Sequence, residues 1–440
     1  MHVLRRRFGI ETLWVIALTT VACAFTPAIL PARVERCVAV DRVGACSRHG
    51  GALASAPTSS AVDVVVLGKV IVDEFSGENA AVIERLGGGS VQAAYGARAW
   101  GRKVGLVAPV GEDTPVAGCL MSGLLDMGVD VAGVAELAGF ATPRSHIRYE
   151  GETMTWVPGV GWDRWQELLQ TALPVPPAYC ASAQVVHVLT EGRGWAEVDM
   201  AVSLLDERPG LSLSVEPVLF GEVSPETIRD LSRLTRRARV VSPDWEAACK
   251  MAGKAGRDPE RASPREVLPA CARQLGLCSA AQGGGDVSGS MSSGTGAEPD
   301  LGGQLLSVRR GSQGSYLWSS RHPGRCWTVP AVPGVTVADP TGAGNAFCGA
   351  LAANLPPAAT RSIAFGGGGQ GGGGGGGIPD DTDGVLRAAA RASATGAAVV
   401  AVHGLPPVRA QGADGHEGVA SRWLLEESDA VYGRIHEVSL

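Results

Sequence analysis

Ala338-Asp339-Pro340-Thr341-Gly342-Ala343-Gly344-Asn345-Ala346-Phe347-Cys348-Gly349-Ala350 is the stretch whose reading decides the fold. An apolar lead-in, Val332 to Ala338, and a helical pattern behind it predict a strand-to-helix turn. Glycines at 342 and 344 let the backbone turn tightly and approach a ligand with no Cβ in the way. The helix that follows opens with main-chain N–H groups that have no partner inside the helix, at the positive end of its dipole. Gly342, Ala343 and Gly344 therefore suit an anion hole for a phosphoryl group in transfer. A plain turn with glycines is the competing reading, and the full string disfavours it.

The string resembles the second signature of the PfkB (ribokinase-type) carbohydrate kinases, D-T-G-A-G-D. In that family the last Asp takes the proton of the substrate hydroxyl as it attacks the γ-phosphate. Asn345 stands there instead, as in a divergent branch of the family. A carboxamide does not accept a proton at neutral pH, and a general base contributes about 10²–10⁴ in rate. The resemblance thus implies a slow enzyme, or a protein that binds without turnover. Phosphoryl transfer leans on positioning and electrostatics, so residual activity is compatible with Asn345. Asp339 is weighed as a substitute base; ending the strand and ordering the loop is its rival role. If only the carboxylate is missing, Asn345→Asp is expected to restore about the same 10²–10⁴.

Other stretches carry the resemblance in the same order along the chain, from Val62 to Leu405. Gly68-Lys69-Val70-Ile71-Val72-Asp73 is similar to the family's first strand, whose Asp binds substrate hydroxyls; a solvated loop acid is the alternative for Asp73. Gly87-Gly88-Gly89-Ser90-Val91-Gln92 resembles the first signature, with Gly88 and Gly89 allowing close approach and Gln92 in place of the usual Asn. Glu112-Asp113 matches an acidic pair and reads as structural. Ser242-Pro243-Asp244-Trp245-Glu246-Ala247 resembles P-N-x-x-E, whose Glu organises magnesium through water. Here Ala247 takes the Glu position and Glu246 comes one residue early, a rotation of about 100° on a helix. Asp244 and Glu246 as a helix-start pair is the alternative. Val308-Arg309-Arg310-Gly311-Ser312-Gln313-Gly314 resembles a strand and turn of the nucleotide site. Arg309 there reads as a phosphate contact or as a solvent-facing turn residue. Thr341 joins the same site, and Val385 to Val402 resembles the helix and strand beside adenine. The resemblance implies a ribokinase-like three-layer α/β/α sandwich with a mostly parallel sheet and a small β-lid. It also implies ATP and Mg2+ as cofactors, a sugar or nucleoside as acceptor, and pairing into a homodimer.

The residues support that architecture directly. Short β-branched runs at Val62–Leu67, Val104–Val107, Val185–Leu189, Leu211–Val215 and Val240–Ser242 alternate with helical patterns at Ala93–Trp100, Val116–Met127 and Pro225–Arg237. Such alternation predicts a parallel sheet covered on both faces. The helix at Pro225 has Ser224 as its expected N-cap and proline in its first position. His146 to Val157 alternates with period two about Glu150-Gly151-Glu152, which predicts an antiparallel hairpin over a cleft.

The chain has 440 residues, 45% of them hydrophobic, enough for a large core. A net charge of −6 argues against a nucleic-acid surface. The 10 cysteines include no C-x-x-C pair, so zinc is not expected, and reduced thiols are. Cys249 and Cys348 fall in helical patterns and read as small buried hydrophobes. Arg5, Arg6 and Arg7 before an apolar run from Leu13 to Leu30 set residues 1–60 apart as a targeting segment, for chloroplast or mitochondrion. A secretory signal, a membrane anchor and a cytoplasmic protein are the alternatives, although Thr19, Thr20, Thr26 and Pro27 weaken a span. No membrane span is expected in the mature chain. The kinase-like domain is expected over 61–411, with Gly/Ser-rich insertions at 283–303 and 366–377, and an extension over 412–440. Three functions follow: a slow kinase, a ligand-binding pseudokinase that acts through partners, or a scaffold with no nucleotide affinity.

Overall fold

Strands and helices alternate from Val64 onward in the computed structural model, which describes residues 60–76, 82–150, 153–190, 194–219, 223–253, 259–277, 303–356, 382–406 and 422–440. All but the last residue of the expected targeting segment, the hairpin tip at Gly151-Glu152, the insertion at 366–377 and nearly all of that at 283–303 lie outside the described residues. The first half runs β1 (Val64–Leu67), β2 (Ile71–Ser76), β3 (Ile83–Gly87), α1 (Gly89–Arg98), β4 (Val104–Gly111), α2 (Cys119–Asp126), β5 (Val129–Leu137), β6 (Arg144–Glu150), β7 (Thr153–Pro158), α3 (Trp165–Gln170), α4 (Pro177–Ser182), β8 (Val185–Thr190) and α5 (Ala196–Glu207). The second runs β9 (Ser212–Pro217), α6 (Pro225–Thr235), β10 (Val240–Val241), α7 (Trp245–Met251), α8 (Pro264–Gln274), β11 (Leu305–Arg309), β12 (Ser315–Ser319), β13 (Arg325–Val329), α9 (Ala343–Asn354), α10 (Thr382–Val400), α11 (Arg422–Tyr432) and β14 (His436–Ser439).

The main sheet has the order β14-β13-β12-β11-β10-β9-β8-β1-β4-β5. It is parallel from β11 to β5, and the strands from β11 to β14 pair antiparallel. Alternate side chains of β1 go to opposite faces, as the pleat requires. Val64 and Val66 join a core with α1, α9 and α10; Val65 and Leu67 join another with α4 to α8. Both faces are thus covered, and the molecule is a three-layer α/β/α sandwich. Ser224 caps α6 by accepting from the Thr227 N–H at 3.1 Å, and Pro225 fills the first position.

A second sheet, β3-β2-β6-β7, forms the lid. The hairpin β6–β7 lies where the period-two pattern puts it. The lid is larger than that hairpin, however. Asp73 is not on the first strand of the core but on β2, which pairs with β3 and β6 in the lid. An ionic latch ties this lid to the end of β4. Arg144 Nη2 on β6 meets Asp113 Oδ2 at 3.3 Å, Nη1 meets Glu74 at 3.0 Å, and the Thr142 N–H donates to Asp113 Oδ1 at 2.7 Å. Glu112 accepts from the Gly139 N–H at 3.1 Å, so the acidic pair is structural.

Two expected strands do not form. Val332 to Ala338 is irregular, because Pro333-Gly334 breaks it and Val337 is 60% exposed. The N–H groups of Ala338 and Asp339 bond instead to the carbonyl of Val400, at the end of α10. The chain after Val400 turns and makes no strand among the described residues. Residues 422–440, set apart in the sequence as an extension, pack α11 on α10 and add β14 to β13. Among the described residues no helix is long and apolar enough to cross a membrane.

Candidate active site

The two glycine-bearing signatures meet because their helices cross at glycines. A Cβ on Gly96 of α1 would stand 2.0 Å from the Ala346 carbonyl oxygen, and one on Gly349 of α9 would stand 1.9 Å from that of Ala93. This close contact brings the amino ends of α1 and α9 together. Gly342 has φ +78, left-handed and suited to glycine, and α9 opens with no capping side chain. Asp339 orders the turn by accepting from the Thr341 N–H at 2.9 Å.

Asp73, Gln92, Asp339 and Thr341 line one cavity beneath the lid, with Phe75, Arg85 and Leu86. Its volume of about 20 Å³ has room for roughly one water, so the lid is shut on it. Gln92 is buried and its Oε1 has no hydrogen-bond partner, so the site offers a hydroxyl an acceptor. Burial, with the charge of Asp339 beside it, pushes the Asp73 carboxyl up to about 7. A larger cavity of about 420 Å³ opens at the opposite ends of the strands, between Asp63, Gln184, Arg208 and Ala353, and no signature residue lines it.

The glycines do a different job from the one their sequence suggests. The space a Cβ would fill is taken by the protein's own side chains, Leu189 together with polar Asn345 at Gly89 and polar groups at Gly342 and Gly344. A Cβ on Gly89 would lie 2.6 Å from Asn345 Nδ2, one on Gly342 2.3 Å from Gln92 Cγ, and one on Gly344 2.2 Å from Arg309 Nη1. Gly88 (φ +91) faces the Lys69 carbonyl, and Gly314 (φ +85) the Val329 carbonyl, both backbone turns.

Beneath α9 lies a buried polar cluster that the sequence reading missed. Glu216 ends β9 and is 1% exposed. Its Oε1 accepts from Asn345 Nδ2 at 2.9 Å and pairs with Arg309 Nη1 at 2.9 Å. Its Oε2 lies 3.6 Å from His187 Nε2 on β8, whose Nδ1 meets Ser214 Oγ at 3.0 Å. Burial pushes the Glu216 carboxyl up, but Arg309, His187 and Asn345 outweigh it and hold it below the usual range. Arg309 is therefore no solvent-facing turn residue, and its guanidinium is committed to Glu216 and to the Ser242 carbonyl at 3.0 Å. The signals were an acid at the end of Leu-Ser-Leu-Ser-Val-Glu and a histidine inside Val-Val-His-Val. A second buried pair, Lys69 Nζ to Glu197 at 2.6 Å, was equally silent in sequence.

Asp244 accepts from the Ala247 N–H at 2.7 Å as the N-cap of α7. Glu246 turns outward to Lys250 at 2.9 Å, while Ala247 is buried. In this arrangement Glu246 sits in the first turn of α7 and pairs on its surface, in line with the helix-start alternative. Among the described residues there is no group of three His, Cys, Asp or Glu that could hold a metal ion; a magnesium ion bound chiefly through phosphates and water needs fewer protein ligands. The phosphate end of a nucleotide does fit the uncapped start of α9. Gly311 and Gly314 bracket the turn between β11 and β12. Cys249 and Cys348 are buried, and the six described cysteines are free.

The architecture is that of the ribokinase-like α/β proteins. Residues 296–407 match the model of the pfkB family carbohydrate kinases. Fructokinase from Xylella fastidiosa with bound ATP superposes at a TM-score of 0.56 and 16% identity, covering 83% of this chain and 98% of that one. Aminoimidazole riboside kinase from Salmonella enterica, complexed with aminoimidazole riboside and an ATP analogue, gives 0.53 and 17%, covering 84% and 99%. Arabidopsis thaliana ribokinase complexed with ribose and ATP gives 0.51 and 15%, covering 84% and 99%. No curated protein matches the chain.

Proposed function

We propose that the chain is an ATP-dependent phosphotransferase acting on a hydroxyl of a sugar, nucleoside or related alcohol, slow because residue 345 is an amide. One observation carries this reading: Asp73 and Gln92, both able to bind hydroxyls, line the same cavity as Asp339 and Thr341 of the turn that opens α9. Asp73 orients the acceptor, and Asn345 Oδ1 accepts from its hydroxyl without removing the proton. The hydroxyl oxygen bonds to the γ-phosphorus as the bond to the bridging oxygen breaks and ADP leaves. Backbone N–H groups at Ala343 and Gly344 stabilise the charge on the transferring oxygens. The proton stays on the attacking oxygen until bond formation makes it acidic, then passes to solvent. Asp244, Gly311, Gly314 and Thr341 are the proposed nucleotide side; Arg309 supports it from beneath through Glu216.

The committed guanidinium of Arg309 and the outward turn of Glu246 favour a second reading, a protein that binds nucleotide without transfer. A phosphate-transfer screen over pentoses, hexoses and nucleosides separates the two. Transfer to one acceptor class, lost in Asp73→Ala, is the expected result. An ATP-induced rise in Tm with no transfer to any acceptor replaces the kinase by the binding protein.

A further inference from the structure

We infer that Glu216 is the positioning residue that dictates both the identity and the orientation of Asn345, so that acid at 216 and amide at 345 form a matched pair. The inference rests on the proposed kinase reading for its relevance to catalysis, but not for its test. An amide has a donor end and an acceptor end, and only the NH2 group can face a carboxylate. Because Nδ2 donates to Glu216 Oε1 at 2.9 Å, Oδ1 is turned away from the buried acid. Glu216 is 1% exposed, whereas Asn345 is half-buried, so the amide is the more accessible member of the pair. A Cβ added at Gly89 would lie 2.6 Å from Asn345 Nδ2, so glycine there leaves the amide the space it occupies.

The charges within the cluster explain why residue 345 is not acidic. Glu216 and Arg309 neutralise each other at 2.9 Å, and Oε1 accepts from both Arg309 and Asn345. The groups facing Glu216 are Arg309 from β11, His187 from β8, and Asn345 and the Cys348 thiol from α9, the thiol held protonated by burial. A second carboxylate at 345 would sit against the first, and two carboxylates sharing a buried site hold one proton between them. Asn345→Asp alone therefore does not supply a free base at neutral pH. The acid and amide must be exchanged together. In the exchanged pair the cluster again holds a single carboxylate, now at position 345, opposite an amide at position 216, with the net charge unchanged.

Four proteins test this: the full chain, Glu216→Gln, Asn345→Asp and the double variant. Thermal unfolding is followed from pH 5.5 to 8, with and without ATP. Asn345→Asp is expected to lose about 5 °C more than the wild type over that range, as the shared proton leaves. The double variant is expected to recover the wild-type pH profile. Where the wild type shows transfer, Asn345→Asp alone gains less than about tenfold at pH 7, and the exchange gains about 10²–10⁴. If Asn345→Asp fails to fold at pH 8, purification at pH 5.5 recovers it. A pH profile for Asn345→Asp that overlays the wild type overturns the pairing, as does a double variant no better than the sum of the singles. Coupled unfolding profiles with no transfer in any of the four support the pairing and sink the kinase reading instead.

Discussion

Gly349 of α9 touches the backbone of α1 at Ala93: a Cβ there would lie 1.9 Å from the carbonyl oxygen. The two helices carry Asn345 and Gln92, so their separation sets the width of the site between them.

Gly349→Ala should therefore push the helices apart. Overpacking costs about 1–3 kcal/mol in a well-packed core, and here the obstacle is backbone, which has no rotamer to yield. A lowered Tm and a weaker ATP-induced shift are the expected outcome in differential scanning fluorimetry. Gly123→Ala inside α2, where a Cβ meets nothing within 4 Å, is the control: it should leave the ATP-induced shift unchanged and raise Tm slightly, since Ala favours a helix interior by about 0.5–1 kcal/mol over Gly.

Asp73 should make the unliganded protein less stable as pH rises. Its folded pKa of about 7 lies above the unfolded value, so protons bind more tightly to the folded state. The stabilisation is fully present below about pH 4, the unfolded pKa. It is lost as pH rises through 7. Asp73→Asn removes this dependence, and its Tm should fall less than the wild type's between pH 5 and 8. Equal slopes for the two proteins would show that Asp73 titrates normally.

Glu246→Gln should leave function untouched. Its partner is Lys250 on the same exposed helix face, and such pairs contribute about 0.3–0.5 kcal/mol. The magnesium dependence of ATP binding, read by titration calorimetry, is expected to match the wild type. A several-fold loss would restore Glu246 to the metal site.

Much of this was legible in the chain. Period and punctuation gave the parallel core, because β-branched runs closed by glycine admit few alternatives. The hairpin of the lid followed from strict alternation. Asp73 on β2 was harder, since Gly68 to Asp73 reads as one strand and only pairing with β3 and β6 reveals two. Val332–Ala338 misled because composition ignores where N–H groups find partners, and there the end of α10 supplied them. Glu216 and His187 were invisible for another reason. Each sits in a strand that also carries serine or threonine, so polarity alone does not single it out, and what they do depends on neighbours far away in sequence: Glu216 lies 129 positions from Asn345.

The join between lid and core is made by charge, with Arg144 gripping Asp113 and Glu74 in a partly solvated spot. Attractions of that kind weaken as counter-ions crowd in. Added salt should therefore loosen this join, and the entrance to the cavity should be more tightly held in dilute buffer than in cellular brine.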